Sequence, residues 1–280
     1  MARQRNGQHG GRRMEPRGDV AAWLASLPID EPIRVSTGLV RLKAPTATSV
    51  LLLLDSVPSS ELDLADPTYL AFEYMQWMTA VVLGRFPPAE TGRLRALHLG
   101  GGGCALPRAL AAHYPAAHQL VIELDAKLCE LVRAWFRLPP APFLKLRPQE
   151  AGEALRAAKP KSRDVIVRDA FYFGRVPPQL TGPDYQAQCA RVLAPGGLYL
   201  ANCAGTTTLD AAKAEVRAAA AVFPHVAAIG EPAQFKGRRW GNIVIAGSTA
   251  ELPAGLERDL RKLAAPARAY VDADAIAWAR

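Results

Sequence analysis

Two features of the chain have the residue types and spacing to bind a nucleoside-bearing ligand. The first is a glycine run between an apolar segment, 95–99, and a helix-like segment, 105–114; it consists of Gly100, Gly101, Gly102 and Gly103. Glycines between a strand and a helix allow a sharp turn and let a ligand approach the backbone. The second is Glu123, about twenty residues later at the end of the next apolar segment. A carboxylate there can accept hydrogen bonds from both ribose hydroxyls.

Other glycine motifs fit the run less well. No Gly-Lys-Ser or Gly-Lys-Thr follows, which argues against a loop that binds nucleoside triphosphates. Cys104 and Ala105 stand where a dinucleotide-binding pattern has a spaced third glycine. The run therefore predicts a nucleoside pocket on a Rossmann-type sheet, and the alternative is an ordinary tight turn in an α/β fold.

Seven short apolar segments after residue 93 predict the strands of that sheet: 95–99, 119–124, 143–147, 164–168, 197–203, 224–229 and 241–247. Uninterrupted apolar strands are typical of sheets covered by helices on both faces. The last two are joined by too few residues for a helical crossover, so we expect them to pair antiparallel. This is the pattern of the seven-stranded class I methyltransferase-like sheet, an α/β fold.

The segments before this sheet predict a smaller unit. Residues 19–27 form a short helix candidate capped by Asp19, and residues 33–54 alternate as two or three strands. Asp66-Pro67 is predicted to begin a helix that runs to about Leu83. The expected organisation is a tail at 1–18, a small β region at 19–65, and a Rossmann-like domain at 66–280.

Composition excludes several classes of protein. With 280 residues and 50% hydrophobic content, the chain can bury a large core, and no apolar run has the roughly 20 residues of a membrane helix. The polar N-terminus lacks a secretory signal, so a cytoplasmic location is expected. The four cysteines lie far apart in the sequence, and no pair has the spacing typical of a metal site, so no metal is predicted.

About half of the net charge of +8 lies in the first 17 residues, which contain five arginines and one acid. Such a tail is expected to be disordered, and a solubilising extension is favoured over contact with nucleic acid. The rest of the chain lacks the basic and aromatic interleaving of a nucleic-acid-binding module.

The motifs together resemble the spermidine synthase family of aminopropyltransferases, in its diverged actinobacterial-type branch. The matching segments are Leu54-Asp55-Ser56-Val57 for the family's LDG, 66–75 for its Asp…Tyr…Glu-Met helix, 100–102 with Arg108 for its GGGDGGxxRE loop, 121–125 for its VEID strand end, 164–169 for the strand carrying its catalytic Asp, and 194–197 for its PGG turn.

The resemblance implies transfer of an aminopropyl group from decarboxylated S-adenosylmethionine to a polyamine-like amine, leaving methylthioadenosine. Carried over residue by residue, Glu123 would hold the ribose, Glu150 would lie near the adenine, and Asp169 would face the amine nucleophile. Family likeness also suggests a homodimer. The chemistry agrees, because a sulfonium is already a good leaving group and the reaction needs in-line positioning and a deprotonated amine. A carboxylate at the end of a central strand can hold the amine and take its proton.

The chain departs from the family pattern on the acceptor side. Gly103 replaces an Asp, Ser59 replaces a Gln, and Ala170-Phe171-Tyr172-Phe173 replaces Ser-Ser-Asp-Pro. Carboxylates that grip cationic amines are therefore missing. Tyr172 and its aromatic neighbours could offer cation–π contacts instead, or they could simply pack under the edge of the sheet.

Gly103 also keeps a second activity open. An Asp there would repel the carboxylate of intact S-adenosylmethionine, whereas glycine exposes a backbone N–H near a helix N-terminus, which suits an anion. Methyl transfer from S-adenosylmethionine is therefore an alternative, and a third is a non-catalytic nucleoside-binding homologue. His98, where many methyltransferases carry an acid, is interpreted as a tolerated strand residue.

Three further residues are weaker candidates. Tyr69 and Glu73 are spaced to share one helical face and could line the acceptor side of the pocket. Asp125 either helps to bind the ribose or caps the helix that begins at Ala126, and capping is favoured.

Overall fold

The fold was analysed in a computed structural model. The structure describes residues 19–205 and 208–280, so the basic tail predicted at 1–18 lies outside the described residues. In the described part, no helix has both the length and the apolar character needed to cross a membrane.

A four-stranded antiparallel sheet precedes the main sheet. Its strands pair in chain order and are β1 (Ile33–Val35), β2 (Gly38–Lys43), β3 (Ser49–Leu54) and β4 (Val57–Asp63). Helix α1 (Val20–Ala25) comes before it, and Asp19 caps this helix as predicted by accepting hydrogen bonds from the backbone of Ala21 and Ala22. The sequence did not predict β4, because Pro58, Ser59 and Ser60 break the apolar alternation that marks the other strands.

The main sheet contains all seven predicted strands and one more. They are β5 (Arg95–Leu99), β6 (His118–Glu123), β7 (Leu144–Pro148), β8 (Arg163–Arg168), β9 (Leu193–Gly205), β10 (His225–Gly230), β11 (Gly241–Ser248) and β12 (Arg268–Val271), in the order β12-β10-β11-β9-β8-β5-β6-β7. The antiparallel pairing of β10 with β11 is confirmed. The additional strand, β12, pairs antiparallel with the far side of β10. It has four residues, none of them fully buried, which leaves no apolar run to detect.

Helices cover the main sheet. They are α2 (Glu73–Arg85), α3 (Ala105–His113), α4 (Ala126–Trp135), α5 (Ala151–Ala157), α6 (Gly182–Val192), α7 (Asp210–Ala220), α8 (Pro232–Phe235), α9 (Leu256–Leu260) and α10 (Ala273–Trp278), with one 3-10 turn at Pro178–Leu180. Two buried clusters result. One joins the small sheet and α2 to the main sheet through residues such as Trp77 and Val121, and the other includes Ile166 and Tyr199.

The prediction that a helix begins at Asp66 is wrong. Helix α2 begins only at Glu73, and the carboxylate of Asp66 instead accepts hydrogen bonds from the backbone and hydroxyl of Thr68 at 2.8 and 2.6 Å. Asp side chains close such local turns readily, and this turn competes with helix initiation. The consequence for the site is that Tyr69 lies outside α2 and does not share a helical face with Glu73.

A buried ion pair anchors the carboxyl end of β8. Arg168 is fully buried, and its guanidinium lies 3.2 Å from the carboxylate of Glu215 on α7. The hydroxyl of Tyr199 donates to the same carboxylate at 2.7 Å. Since a buried charge is costly unless it is paired, this ion pair stabilises the end of β8. Asp169 follows directly after Arg168 in the chain.

Candidate functional site

The glycine run and Glu123 meet as the sequence predicts. Glu123 ends β6, and one of its carboxylate oxygens accepts hydrogen bonds from the backbone N–H groups of Gly101 and Gly102, each at 3.1 Å. Its other oxygen accepts the N–H of Asp125 at 3.2 Å. The carboxylate thus lies directly against the loop. Binding of a ribose by Glu123 stays a prediction.

Gly100, the first residue of the loop, packs against the backbone of Asp169 at the end of β8. Its φ angle is +99°, and a Cβ atom there would lie 2.3 Å from the carbonyl oxygen of Asp169. No side chain fits at that distance, and L residues rarely adopt that backbone conformation. The absence of a side chain therefore lets the predicted nucleoside loop touch the end of β8.

Strand β4 of the small sheet closes over the other end of the loop. The N–H of Gly103 donates to the hydroxyl of Ser60 at 2.9 Å, and a Cβ on Gly103 would lie 2.9 Å from Cβ of Ser60. A Cβ on Gly102 would lie 3.1 Å from the hydroxyl of Ser59. The expectation that Gly103 exposes a free N–H for an anion is wrong, because Ser60 already accepts that hydrogen bond. Gly103 is small because β4 packs on it.

Asp169 lies at the carboxyl end of β8 and is held by two side chains. The hydroxyl of Tyr74 donates to one carboxylate oxygen at 2.8 Å, and the amide of Asn202 donates to the other at 2.8 Å. Asn242 donates in turn to the amide oxygen of Asn202 at 2.9 Å. Burial raises the pKa of Asp169 above its usual range, although the bonds from Asn202 and Tyr74 and the charge of Arg168 act in the opposite direction.

This network is the part of the site that sequence reasoning missed. Tyr74 lies in α2 among residues that the sequence marks as core, and Asn202 lies in β9 inside an apolar run. An amide near the end of an otherwise apolar strand was the available signal, since a polar side chain is costly there unless it has a partner. Only the sheet order, which places β9 beside β8, shows that the partner is Asp169.

The predicted adenine and ribose contacts have structural partners of their own. Glu150 caps α5 by accepting hydrogen bonds from the N–H groups of Gly152 and Glu153. Asp125 caps α4, as favoured from the sequence, and also accepts two hydrogen bonds from Thr37 at 2.7 and 2.9 Å. Both residues lie where β7 and β6 end, and contact with a ligand stays a prediction for each.

The predicted acceptor residues are more exposed. Tyr69 is 50% exposed, and Tyr172 is 51% exposed in a tight turn in which its backbone pairs with that of Arg175. Tyr172 and Phe173 pack on each other rather than under the sheet, with ring centroids 4.5 Å apart. Glu73, the first residue of α2, lies 3.6 Å from the guanidinium of Arg239. The structure does not bring Tyr69 into the Asp169 network.

His98 is buried in β5, and its ring bonds to the side chain of Gln119 at 2.9 Å. Burial lowers its pKa to about 4, so the ring is neutral near pH 7. In the described part of the chain, no group of three or more His, Cys, Asp or Glu side chains is placed to hold a metal ion.

Comparison with known proteins places this geometry in a family. No protein-family model matches the chain. A solved structure of a probable spermidine synthase from Corynebacterium glutamicum shares 37% sequence identity, with a TM-score of 0.84 and coverage of 90% of this chain and 94% of that one. The chain belongs to the spermidine synthase-like family. This confirms the resemblance drawn from the motifs.

Curated relatives of this family match a shorter segment. A polyamine aminopropyltransferase from Chromobacterium violaceum is 26% identical over 144 residues, which are 51% of this chain and 53% of that one. The chain thus spans about half the length of this curated relative. A second, from Vibrio vulnificus, is 27% identical over 117 residues, which are 41% of this chain and 39% of that one.

Two more distant structures share only the fold with this chain. A spermidine synthase from Thermotoga maritima has a TM-score of 0.60 at 17% identity, with coverage of 84% of this chain and 79% of that one. Human methyltransferase-like protein 13, solved in complex with SAH, has a TM-score of 0.55 at 21% identity, with coverage of 68% and 93%. Both agree with the α/β fold class predicted from the strand pattern.

Proposed function

We propose that this protein transfers an aminopropyl group from decarboxylated S-adenosylmethionine to an amine. The observation that carries the proposal is the close packing of Gly100 on the backbone carbonyl of Asp169, because it brings the glycine loop to the strand end that carries the carboxylate. The proposed substrate crevice lies between the two. The membership of the spermidine synthase-like family supports the same reaction class.

In the proposed reaction, the uncharged amine nitrogen attacks the aminopropyl carbon that is bound to sulfur. The new C–N bond forms as the C–S bond breaks, and the sulfur keeps the electron pair and leaves as the neutral thioether of methylthioadenosine. The nitrogen then loses a proton, which Asp169 accepts and passes to solvent. A carboxylate whose pKa is raised by burial is a stronger base, which suits this role.

On the donor side, Glu123 is proposed to accept hydrogen bonds from the ribose hydroxyls, with Asp125 beside it. Glu150, at the end of β7, is proposed to lie near the adenine. Gly101 and Gly102 let the nucleoside approach the backbone. On the acceptor side, Glu73 and Tyr172 are proposed to face the amine substrate, while a homodimer and a cytoplasmic location remain predictions.

Methyl transfer loses one of its two arguments. The free N–H at Gly103 was the reason to expect the carboxylate of intact S-adenosylmethionine, and Ser60 accepts that hydrogen bond at 2.9 Å. The absence of an Asp at position 103 still leaves room for that carboxylate, so methyl transfer is one outcome of the test. A nucleoside-binding homologue without activity is another.

The test is incubation of the purified protein with decarboxylated S-adenosylmethionine and a panel of amines, with both products measured by mass spectrometry. The proposal requires methylthioadenosine and an aminopropylated amine in equal amounts. Methylthioadenosine binding without any product would favour the inactive homologue, and S-adenosylhomocysteine formed from S-adenosylmethionine would favour methyl transfer.

A further inference from the structure

The turn between β1 and β2 reaches across to the main sheet and binds Asp125. Val35 pairs with Gly38, so Ser36 and Thr37 form a two-residue turn between these strands. The backbone N–H and the hydroxyl of Thr37 donate to one carboxylate oxygen of Asp125 at 2.7 and 2.9 Å. The small sheet is thereby joined to the main chain just past the end of β6.

Both carboxylate oxygens of Asp125 are engaged by the protein itself. The side chain is buried, and its second oxygen accepts the N–H of Leu128 in α4 at 3.0 Å. Burial acts to raise the pKa of Asp125, but the hydrogen bonds to it, led by that from the backbone of Leu128, lower the pKa below its usual range. The carboxylate is therefore ionised near pH 7, and hydrogen bonds to an ionised acceptor are stronger than neutral ones.

Asp125 in turn holds the carboxylate proposed to bind the ribose. Its backbone N–H donates to one oxygen of Glu123 at 3.2 Å, while the other oxygen accepts the N–H groups of Gly101 and Gly102 at 3.1 Å. The glycine loop thus fixes one oxygen and Asp125 fixes the other. The orientation of the Glu123 carboxylate therefore depends on the position of the Asp125 backbone.

The β1–β2 turn is itself anchored on the side away from Asp125. The N–H of Leu39, two residues after Thr37, donates to the carboxylate of Asp55 at 2.8 Å. Asp55 lies between β3 and β4 of the same small sheet. Thr37 is therefore a fixed point on the small sheet, against which Asp125 is held.

We propose that Thr37 is a positioning residue for the nucleoside: its hydroxyl fixes Asp125, which keeps the carboxylate of Glu123 turned toward the ribose hydroxyls. Hydrogen bonds weaken steeply as their angles depart from linearity, so a carboxylate that binds two hydroxyls needs such support. This inference rests on the proposed function. It assigns the carboxylate of Asp125 to the small sheet and leaves the contact with the ribose to Glu123.

Thr37→Val tests the hydroxyl, because it keeps the size of the side chain and the hydrogen bond from the backbone. Methylthioadenosine, titrated into the full chain by calorimetry, should bind about 3- to 10-fold more weakly, as expected for the loss of one hydrogen bond. In the transfer assay, KM for decarboxylated S-adenosylmethionine should rise by a similar factor, while kcat and KM for the amine should change little. Thr37→Ser keeps the hydroxyl and should bind like the wild type.

Thr48→Val is the matched control. Thr48 lies between β2 and β3 of the same sheet, and its hydroxyl donates to the carboxylate of Asp63 at 2.8 Å, in a bond that does not involve β6. Thr37→Val and Thr48→Val should lose similar free energies of unfolding in urea, since each loses one hydrogen bond to a carboxylate. Only Thr37→Val should lose affinity for methylthioadenosine.

The outcomes separate the inference from the proposed function. Wild-type affinity in Thr37→Val, equal losses of affinity in Thr37→Val and Thr48→Val, or a loss in Thr37→Ser as large as that in Thr37→Val would overturn the positioning role and leave the proposed function standing. Weaker nucleoside binding in Thr37→Val alone, with no transfer to any amine by the wild type, would support the positioning role and overturn the proposed function. Failure of the folded wild type to bind methylthioadenosine would overturn both.

Discussion

The two sides of the crevice are built in different ways. On the donor side, the N–H groups of Gly101, Gly102 and Gly103 donate to Glu123 and Ser60, and Gly100 donates to the carbonyl of Ile122 at 2.9 Å. On the acceptor side, Asp169 accepts hydrogen bonds from two buried side chains, Tyr74 and Asn202, whereas Tyr172 is half-exposed. The donor loop is therefore held by four hydrogen bonds that its own backbone N–H groups donate, whereas the carboxylate of Asp169 is held by two hydrogen bonds that side chains donate.

The largest effect should come from the acceptor side. In Asp169→Asn, the amide can still bond to both Tyr74 and Asn202, but it cannot accept a proton, so kcat/KM for aminopropyl transfer should fall about 10²- to 10⁴-fold. Binding of methylthioadenosine, measured by calorimetry, should change little. An equal loss of nucleoside binding would contradict the division of the crevice into two sides.

The same variant should not lose stability. A buried carboxyl with a raised pKa stabilises the fold when protonated, and this contribution is present below its unfolded pKa and is lost as the pH rises through the raised folded value. At neutral pH, Asp169→Asn avoids the cost of burying the charge. Its free energy of unfolding in urea should equal or exceed that of the wild type, and a clear decrease would show that its inactivity reflects misfolding.

A substitution on the donor side should weaken nucleoside binding. Glu123→Gln removes the charge that would strengthen the proposed hydrogen bonds to the ribose hydroxyls, while it keeps an acceptor for the glycine loop. Charge-assisted hydrogen bonds contribute about 1.5–3 kcal/mol, so methylthioadenosine should bind about 10- to 100-fold more weakly. Glu130→Gln, on the exposed surface of α4, is the control and should bind normally. Unchanged binding in Glu123→Gln would remove Glu123 from the site.

Ser60→Ala tests how far the small sheet supports the donor loop. It leaves the buried N–H of Gly103 without its acceptor, which should cost about 1–3 kcal/mol in the free energy of unfolding and weaken nucleoside binding. Ser59→Ala, one residue away in the same strand, is the control. Equal effects of the two variants in urea unfolding would show that the bond to Gly103 does not anchor the loop.

The smallest effect concerns pH. The bond from Tyr74 lowers the pKa of Asp169 against the effect of burial. Tyr74→Phe removes this bond, so the pKa of Asp169 should rise further. In the proposed mechanism the deprotonated carboxylate is the active form, so the acidic limb of the kcat/KM profile should move to higher pH. A shift to lower pH would contradict the assignment of Asp169 as base.

The contact of the glycine loop with Glu123 could be predicted from the sequence, whereas the side chains that bind Asp169 could not. Gly100, Glu123 and Asp169 lie at the ends of short apolar strands, so their convergence follows from parallel strand order. Tyr74 and Asn202 come from elements far apart in the chain, and only the packing of α2 and β9 shows that both bind Asp169.

The errors in the fold have local causes. Asp66-Pro67 has the residue types of a helix start, but Thr68 closes a turn on Asp66 first, and α2 begins at Glu73. Strands β4 and β12 lack the apolar alternation that identifies strands from sequence. The hydrogen bond from Gly103 to Ser60 could not be predicted, because β4 is not recognisable as a strand in the sequence.

The central claim, that the crevice holds a decarboxylated sulfonium nucleoside, is tested most directly by calorimetry. The protein would be titrated in parallel with methylthioadenosine, decarboxylated S-adenosylmethionine and S-adenosylmethionine. We expect the first two to bind more tightly than the third. Tighter binding of S-adenosylmethionine would contradict aminopropyl transfer and favour methyl transfer, and no binding of any of the three to the folded protein would contradict the nucleoside site itself.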